Sequence, residues 1–190
     1  VIVGLAWLAM AAPPDDSAVW TTYVDEPYRT ECTRSAGEPW CRAFGTSTAS
    51  LERLGKIIED RVSYTKTYSR VPIAEVLDAE REIFRLAIDL PSPLTDRDEV
   101  LQASRADDGA ARVYRWTSIT HPNRPPQAGY LRLPRAAGEW RLTPRADGGT
   151  DVRYSWQAEM LGSLPEWVLR RVWATTGPEI VRETITAAER

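Results

Sequence analysis

The chain has 190 residues, 43% hydrophobic and 27% charged, with 24 basic against 27 acidic side chains and a net charge of −3. One His and two Cys cannot assemble a multi-ligand zinc site or a Cys-His or Ser-His catalytic set, and an acidic balance lacks the basic footprint of a nucleic-acid binder. Eight Trp, seven Tyr and two Phe exclude disorder and fit one domain that buries roughly 70% of its unfolded surface.

Residues 1–12 (VIVGLAWLAMAA) are uncharged, mostly apolar and end in Ala9-Met10-Ala11 before Pro13-Pro14. This resembles the end of a secretory signal peptide, and it predicts a periplasmic or secreted protein whose folded domain covers residues 18–190. A short helix packed on a cytoplasmic domain is the alternative. Cys32 and Cys41 flank a turn-like Ser35-Ala36-Gly37-Glu38-Pro39. A two-residue turn on Ala36-Gly37 pairs Arg34 with Pro39 and Cys32 with Cys41, both as non-hydrogen-bonded pairs. There the missing N–H of proline costs nothing, and the Cα atoms lie about 4.5 Å apart, within disulfide range. A cross-strand disulfide is therefore expected, against two free thiols if the compartment is reducing.

Ser50 caps a helical pattern with Leu51, Leu54, Ile57 and Ile58 on one face, and a second short helix or turn covers residues 62–68. From Val71 the period changes to two. Residues 83–90 (IFRLAIDL) read as a strand with Phe84, Leu86, Ile88 and Leu90 on one face and Arg85 and Asp89 on the other. Strands follow at about residues 99–105, 111–120, 129–134, 138–143 and 150–158, with turns at Asp107-Asp108-Gly109 and Asp147-Gly148-Gly149. The last segment opens on Leu164-Pro165-Glu166 and carries a stripe of Leu164, Val168, Val172, Thr176, Ile180 and Ile185. Gly177-Pro178 interrupts that stripe, which predicts a kink without a stop.

This order is α+β: a curved antiparallel sheet wrapped on one long C-terminal helix. Phe84, Leu86, Ile88, Tyr114, Trp116, Leu131, Leu133, Trp140, Leu142, Val152, Tyr154 and Trp156 are the candidate inner face, with Val168 and Val172 opposite them on the helix. Each alone reads as core; so many large rings around one helix predict an internal hydrophobic cavity.

Four pieces, in order, resemble the START (StAR-related lipid transfer) domains of the helix-grip (Bet v 1-like) superfamily. They are Leu90-Pro91-Ser92-Pro93-Leu94-Thr95-Asp96-Arg97-Asp98, the loop from His121-Pro122-Asn123-Arg124 to Gly129-Tyr130, Gly138-Glu139-Trp140-Arg141-Leu142-Thr143-Pro144, and Gly162-Ser163-Leu164-Pro165-Glu166-Trp167. The resemblance runs from about Trp20 to the end. It implies a helix-grip fold with a tunnel for one lipid or sterol-like molecule, transient membrane contact during exchange, no cofactor, and a monomer that performs no catalysis. Polyketide cyclases and aromatases of the same superfamily are the enzymatic alternative. One departure stands out. The family usually has a large apolar residue after the Arg-Asp pair, and here Glu99 stands there. The favoured reading puts Glu99 in solvent with Val100 inward; if Glu99 points inward instead, the ligand carries a polar or cationic group.

No catalytic residue is assigned. His121 has no acid, nucleophile or metal partner near it in sequence, so it is read as loop structure, its ring bonding backbone. Arg97 is expected to fork onto a carboxylate or loop carbonyls beside the cavity mouth, with Asp98 in the same loop framework. Arg170-Arg171 reads as a solvated face.

Overall fold

The structure is a computed structural model that describes residues 12–34, 39–90, 94–162 and 165–190. The apolar run at the beginning of the chain, the turn residues of the Cys32–Cys41 hairpin and Leu164 lie outside the described residues.

Ten strands form one sheet: β1 (Thr21–Val24), β2 (Thr30–Arg34), β3 (Pro39–Ser47), β4 (Ile73–Asp78), β5 (Ile83–Ile88), β6 (Arg97–Asp108), β7 (Ala111–Ser118), β8 (Leu131–Arg132), β9 (Ala136–Pro144) and β10 (Thr150–Ala158). The hydrogen-bonded order is β1-β2-β3-β10-β9-β7-β6-β5-β4, all antiparallel, with the two-residue β8 added parallel to the start of β6. Among the described residues three helices accompany it: α1 (Leu51–Glu59), α2 (Tyr64–Thr67) and α3 (Glu166–Glu189), with a 3-10 turn at Arg61–Ser63 joining the first two. This is the helix-grip arrangement, a curved sheet closed around the last helix.

The local chemistry behind these elements is plain. In the β2–β3 hairpin Arg34 pairs with Pro39 and Cys32 with Cys41, the register derived from the proline. The two sulfurs are bonded, across a Cα–Cα distance of 4.0 Å. Ser50 accepts a hydrogen bond from the Arg53 N–H and so opens α1, whose Leu51, Leu54 and Ile58 are buried. Asp60 ends α1 and caps the 3-10 turn through the Ser63 N–H. Tyr64 then donates to the Ile58 carbonyl at 2.5 Å, tying α2 back under α1.

Helix α3 runs unbroken through Gly177-Pro178. Its buried side is Val172, Trp173, Gly177, Val181, Thr184, Ile185 and Ala188, about one residue round from the stripe expected from the sequence. Gly177 is the reason: a Cβ there would lie 2.0 Å from the Trp156 ring, so the helix backbone itself presses on that indole. The helix is fastened along its C-terminal half. Tyr68 and Thr184 share a hydrogen bond of 3.0 Å, Arg70 pairs with Glu179 at 2.6 Å, and Glu189 accepts from Thr48 N–H at 2.8 Å.

Two expectations about strands need correction. The expected strand over residues 129–134 is only Leu131–Arg132, because the proline-rich loop before it spends its backbone on turns. A separate edge strand, β4, precedes β5 where the sequence showed only a change of period.

Candidate functional site

The core has two main clusters, with Trp40 and Ala137 forming a small third one against Trp20. One cluster joins α1, β3, β9, β10 and α3; a smaller one gathers Tyr64, Tyr68, Phe84, Leu86, Leu101 and Ala103. Trp116 and Ile180 touch both. The interior between sheet and helices holds a cavity of about 140 Å³ with a mostly apolar wall.

The sheet contributes Phe84, Leu86 and Ile88 from β5, Glu99 and Leu101 from β6, Tyr114 and Trp116 from β7, Trp140 from β9, and Tyr154 and Trp156 from β10. Leu133 lines it from beyond β8, and Ile58, Tyr64 and Tyr68 line it from the short helices. Helix α3 supplies Val172, Trp173, Thr176 and Ile180. The rings pack on one another as well as on the void: Trp140 and Tyr154 centroids are 4.4 Å apart, and Tyr154 and Trp156 stack at 5.3 Å. Trp116 is held over Gly138, where a Cβ would meet the indole at 2.2 Å.

Four residues assigned to the inner face from sequence are not on this wall. Leu131 is 40% exposed, because β8 is a parallel edge addition rather than a member of the bowl. Leu142 and Val152 are fully buried in the larger core cluster, away from the cavity wall. Val168 is half-buried on the first turns of α3, outside the cavity. Among the wall residues that sequence reading passed over, Tyr64 and Leu101 sit on elements whose inner face was not assigned, Met160 follows the end of β10, and Trp173 lies one residue round from the stripe assigned on α3.

Glu99 also departs from the favoured reading. It is 4% exposed and lines the cavity, while Val100, fully buried, faces the other way. Leu86 and Glu99 are cross-strand partners, so both side chains rise from the same face. No hydrogen bond or ion pair reaches the Glu99 carboxyl from another described residue. Burial, and then the charge of Asp98 against the weaker pull of Arg132, pushes its pKa up to about 8. At neutral pH this carboxyl is largely protonated.

The outer face of β5–β6 is buried as well. Asp98, fully enclosed, accepts from Arg85 at 2.9 Å and from Arg132 at 2.8 Å. Burial alone raises the Asp98 carboxyl, and the hydrogen bonds from Arg132 and Arg85 outweigh it and bring it below its usual value. Tyr130 lies over the Arg85 guanidinium, so the loop from His121 is clamped onto the sheet by this triad. Arg132 adds a hydrogen bond to the Arg124 carbonyl at 2.9 Å. Arg97 spends its donors on carbonyls, reaching Met160 O at 2.9 Å and Thr95 O, and so ties the start of β6 to the end of β10 at the cavity wall. His121 does not bond backbone through its ring as expected. Its buried Nδ1 has no partner, and the residue closes its turn by accepting the Arg124 N–H at its carbonyl. On α3, Arg170 is exposed with its guanidinium over the Tyr23 ring, and Arg171 is exposed.

Among the described residues no group of three or more His, Cys, Asp or Glu is placed to hold a metal ion, and no helix is long and apolar enough to cross a membrane.

With this geometry in hand, a family model of the START domain matches residues 9–190. An uncharacterised protein of Pseudomonas aeruginosa is 35% identical over 81 residues, a match that spans 43% of this chain and 40% of that protein. Among solved structures, the STAR-related lipid transfer protein of Xanthomonas axonopodis (fragment 25–204) is 24% identical and superposes with a TM-score of 0.79, covering 90% of this chain and 99% of that one. Human StAR-related lipid transfer protein 5 is 18% identical with a TM-score of 0.81, over 98% and 93% of the two chains. The ZhuI aromatase/cyclase of a Streptomyces species is more distant, 15% identical with a TM-score of 0.55 over 80% and 93%. These likenesses to solved structures speak for the fold.

Proposed function

The chain belongs to the START domain family, and we propose that it binds one hydrophobic small molecule, lipid or sterol-like, between its sheet and α3, as a carrier or sensor that performs no chemistry on it. The cavity carries this reading: a space between sheet and helix lined mainly by Leu, Ile, Trp and Tyr. Each Å² of a ligand's apolar surface removed from water there contributes about 25 cal/mol. Uptake of a whole lipid requires the walls to move outward. The fasteners of α3, Arg70–Glu179 and Tyr68–Thr184, are the contacts such a movement would loosen. Export of the chain and brief contact with a membrane during exchange belong to the same proposal.

Trp116, Trp140, Trp156 and Trp173 on the wall supply a test. A delipidated sample titrated with a lipid carrying a nitroxide on its acyl chain should lose Trp fluorescence saturably, at one probe per chain. Absence of quenching below the concentration at which the probe aggregates would overturn the proposal. A cyclase- or aromatase-like activity is the second reading, favoured by one observation: Glu99 is a buried carboxyl with a pKa of about 8 inside the cavity, the state of a general acid. Turnover of a poly-β-ketone chain that disappears in Glu99→Gln would support it.

A further inference from the structure

The cavity wall is apolar except for a small set of polar groups, and their state decides what the ligand must offer. Four guanidiniums reach the wall, and each is engaged. Arg61 donates to the Tyr64 hydroxyl at 2.6 Å and lies over the Phe84 ring, Arg70 is paired with Glu179, Arg115 with Glu139 at 2.8 Å, and Arg97 with backbone carbonyls. An anionic head would find no free cation among them.

Two other groups are in the opposite condition. The Glu99 carboxyl and the Tyr154 hydroxyl are on the wall, within residues 4% and 8% exposed, and neither hydrogen-bonds to another described residue. Both line the same cavity, Glu99 from β6 and Tyr154 from β10. Buried polar groups are almost always satisfied, and leaving one without a partner costs as much as several good contacts return. A site with donors and acceptors but no net charge to give matches a group that both accepts and donates.

We propose that Glu99 and Tyr154 are polar contacts within the apolar cavity that select a ligand bearing an uncharged hydroxyl. The hydroxyl hydrogen goes to a carboxyl or phenol oxygen, and its oxygen receives a proton donor from the wall. This deepens the proposed function and rests on it. The apolar chain or ring system of the ligand occupies the remainder, between Leu86, Leu101, Trp116 and Ile180. Glu99 thereby has a use at a position where an apolar residue would pack more cheaply.

The test separates the subsite from the cavity. Diphenylhexatriene, which has no polar group, reports filling of the cavity by its fluorescence. It is then displaced by four amphiphiles of one chain length: 1-dodecanol, methyl dodecyl ether, dodecylamine and dodecanoate. The ether can accept but cannot donate, so the wild-type protein should prefer the alcohol to it by about tenfold, the value of one hydrogen bond. The same ratio measured within Tyr154→Phe and within Glu99→Leu should fall below about threefold in each. Because each variant serves as its own reference, a general change in affinity cancels. Equal binding of alcohol and ether by the wild type overturns the subsite while leaving the cavity reading intact. So does stronger binding of dodecylamine or dodecanoate, or a preference undiminished in both variants. Failure of diphenylhexatriene and all four amphiphiles to bind overturns the lipid-binding reading and the subsite with it.

Discussion

Replacing Glu99 with Gln keeps the shape of the protonated acid and removes its titration, which gives the buried carboxyl a thermodynamic signature. In the fold its pKa is about 8, against an ordinary value of 4.5. Below pH 4.5 the acid is protonated in both folded and unfolded chains, and the wild type and Glu99→Gln should differ little through this group. Between pH 4.5 and 8 the unfolded chain releases the proton while the folded chain keeps it, so the folded state binds more protons and stability falls as pH rises. The slope approaches about 1.4 kcal/mol per pH unit, and the loss levels off above pH 8 at up to roughly 5 kcal/mol. That is a large share of the ~5–15 kcal/mol available to a domain. Urea unfolding of both proteins at about pH 4, 6 and 9 should show Glu99→Gln gaining on the wild type steadily with pH. An offset that does not change with pH, or a wild type that gains on the variant as pH rises, would refute the reasoning. It would mean that Glu99 is ionised in the fold and held by a cation.

Other perturbations follow from particular contacts. Gly177→Ala places a methyl group 2.0 Å from the Trp156 ring, so it should cost about 1–3 kcal/mol, lower the melting temperature by several degrees and reduce probe uptake. Asp98→Ala leaves Arg85, 3% exposed, without its carboxylate, and should destabilise by about 3–5 kcal/mol in denaturant titrations. The Cys32→Ser, Cys41→Ser double variant should lose about 2–3 kcal/mol, because the loop that the disulfide closes is short.

The legible parts of this chain were those where one physical rule acts alone. The hairpin register followed from a proline that cannot donate and a turn of fixed length, and Cys32–Cys41 came with it. The inner faces of β5, β7 and β10 followed from alternation, since Leu86, Trp116 and Trp156 stand between polar or small neighbours. On β6 alternation fails, because both of its faces are buried: Glu99 and Leu101 line the cavity while Asp98 and Val100 are buried on the opposite face. With apolar Val100 beside a charged Glu99, hydropathy pointed the wrong way. The signal that would have corrected it was the pairing of β6 with β5, which sets Glu99 opposite Leu86. The phase of α3 was missed for a related reason. Gly177 contributes nothing to an apolar stripe, yet it is buried because the Trp156 ring occupies the place of its absent side chain.

The central claim is that the space enclosed by α3 and the sheet receives one hydrophobic ligand. Native mass spectrometry of the purified protein, before and after organic extraction and again after incubation with mixed lipids, measures this directly. The account predicts a single adduct per chain that extraction removes and incubation restores, at a mass identified in the extract as a neutral lipid bearing a hydroxyl. A protein that is ligand-free in every state, with no adduct after incubation, would contradict it.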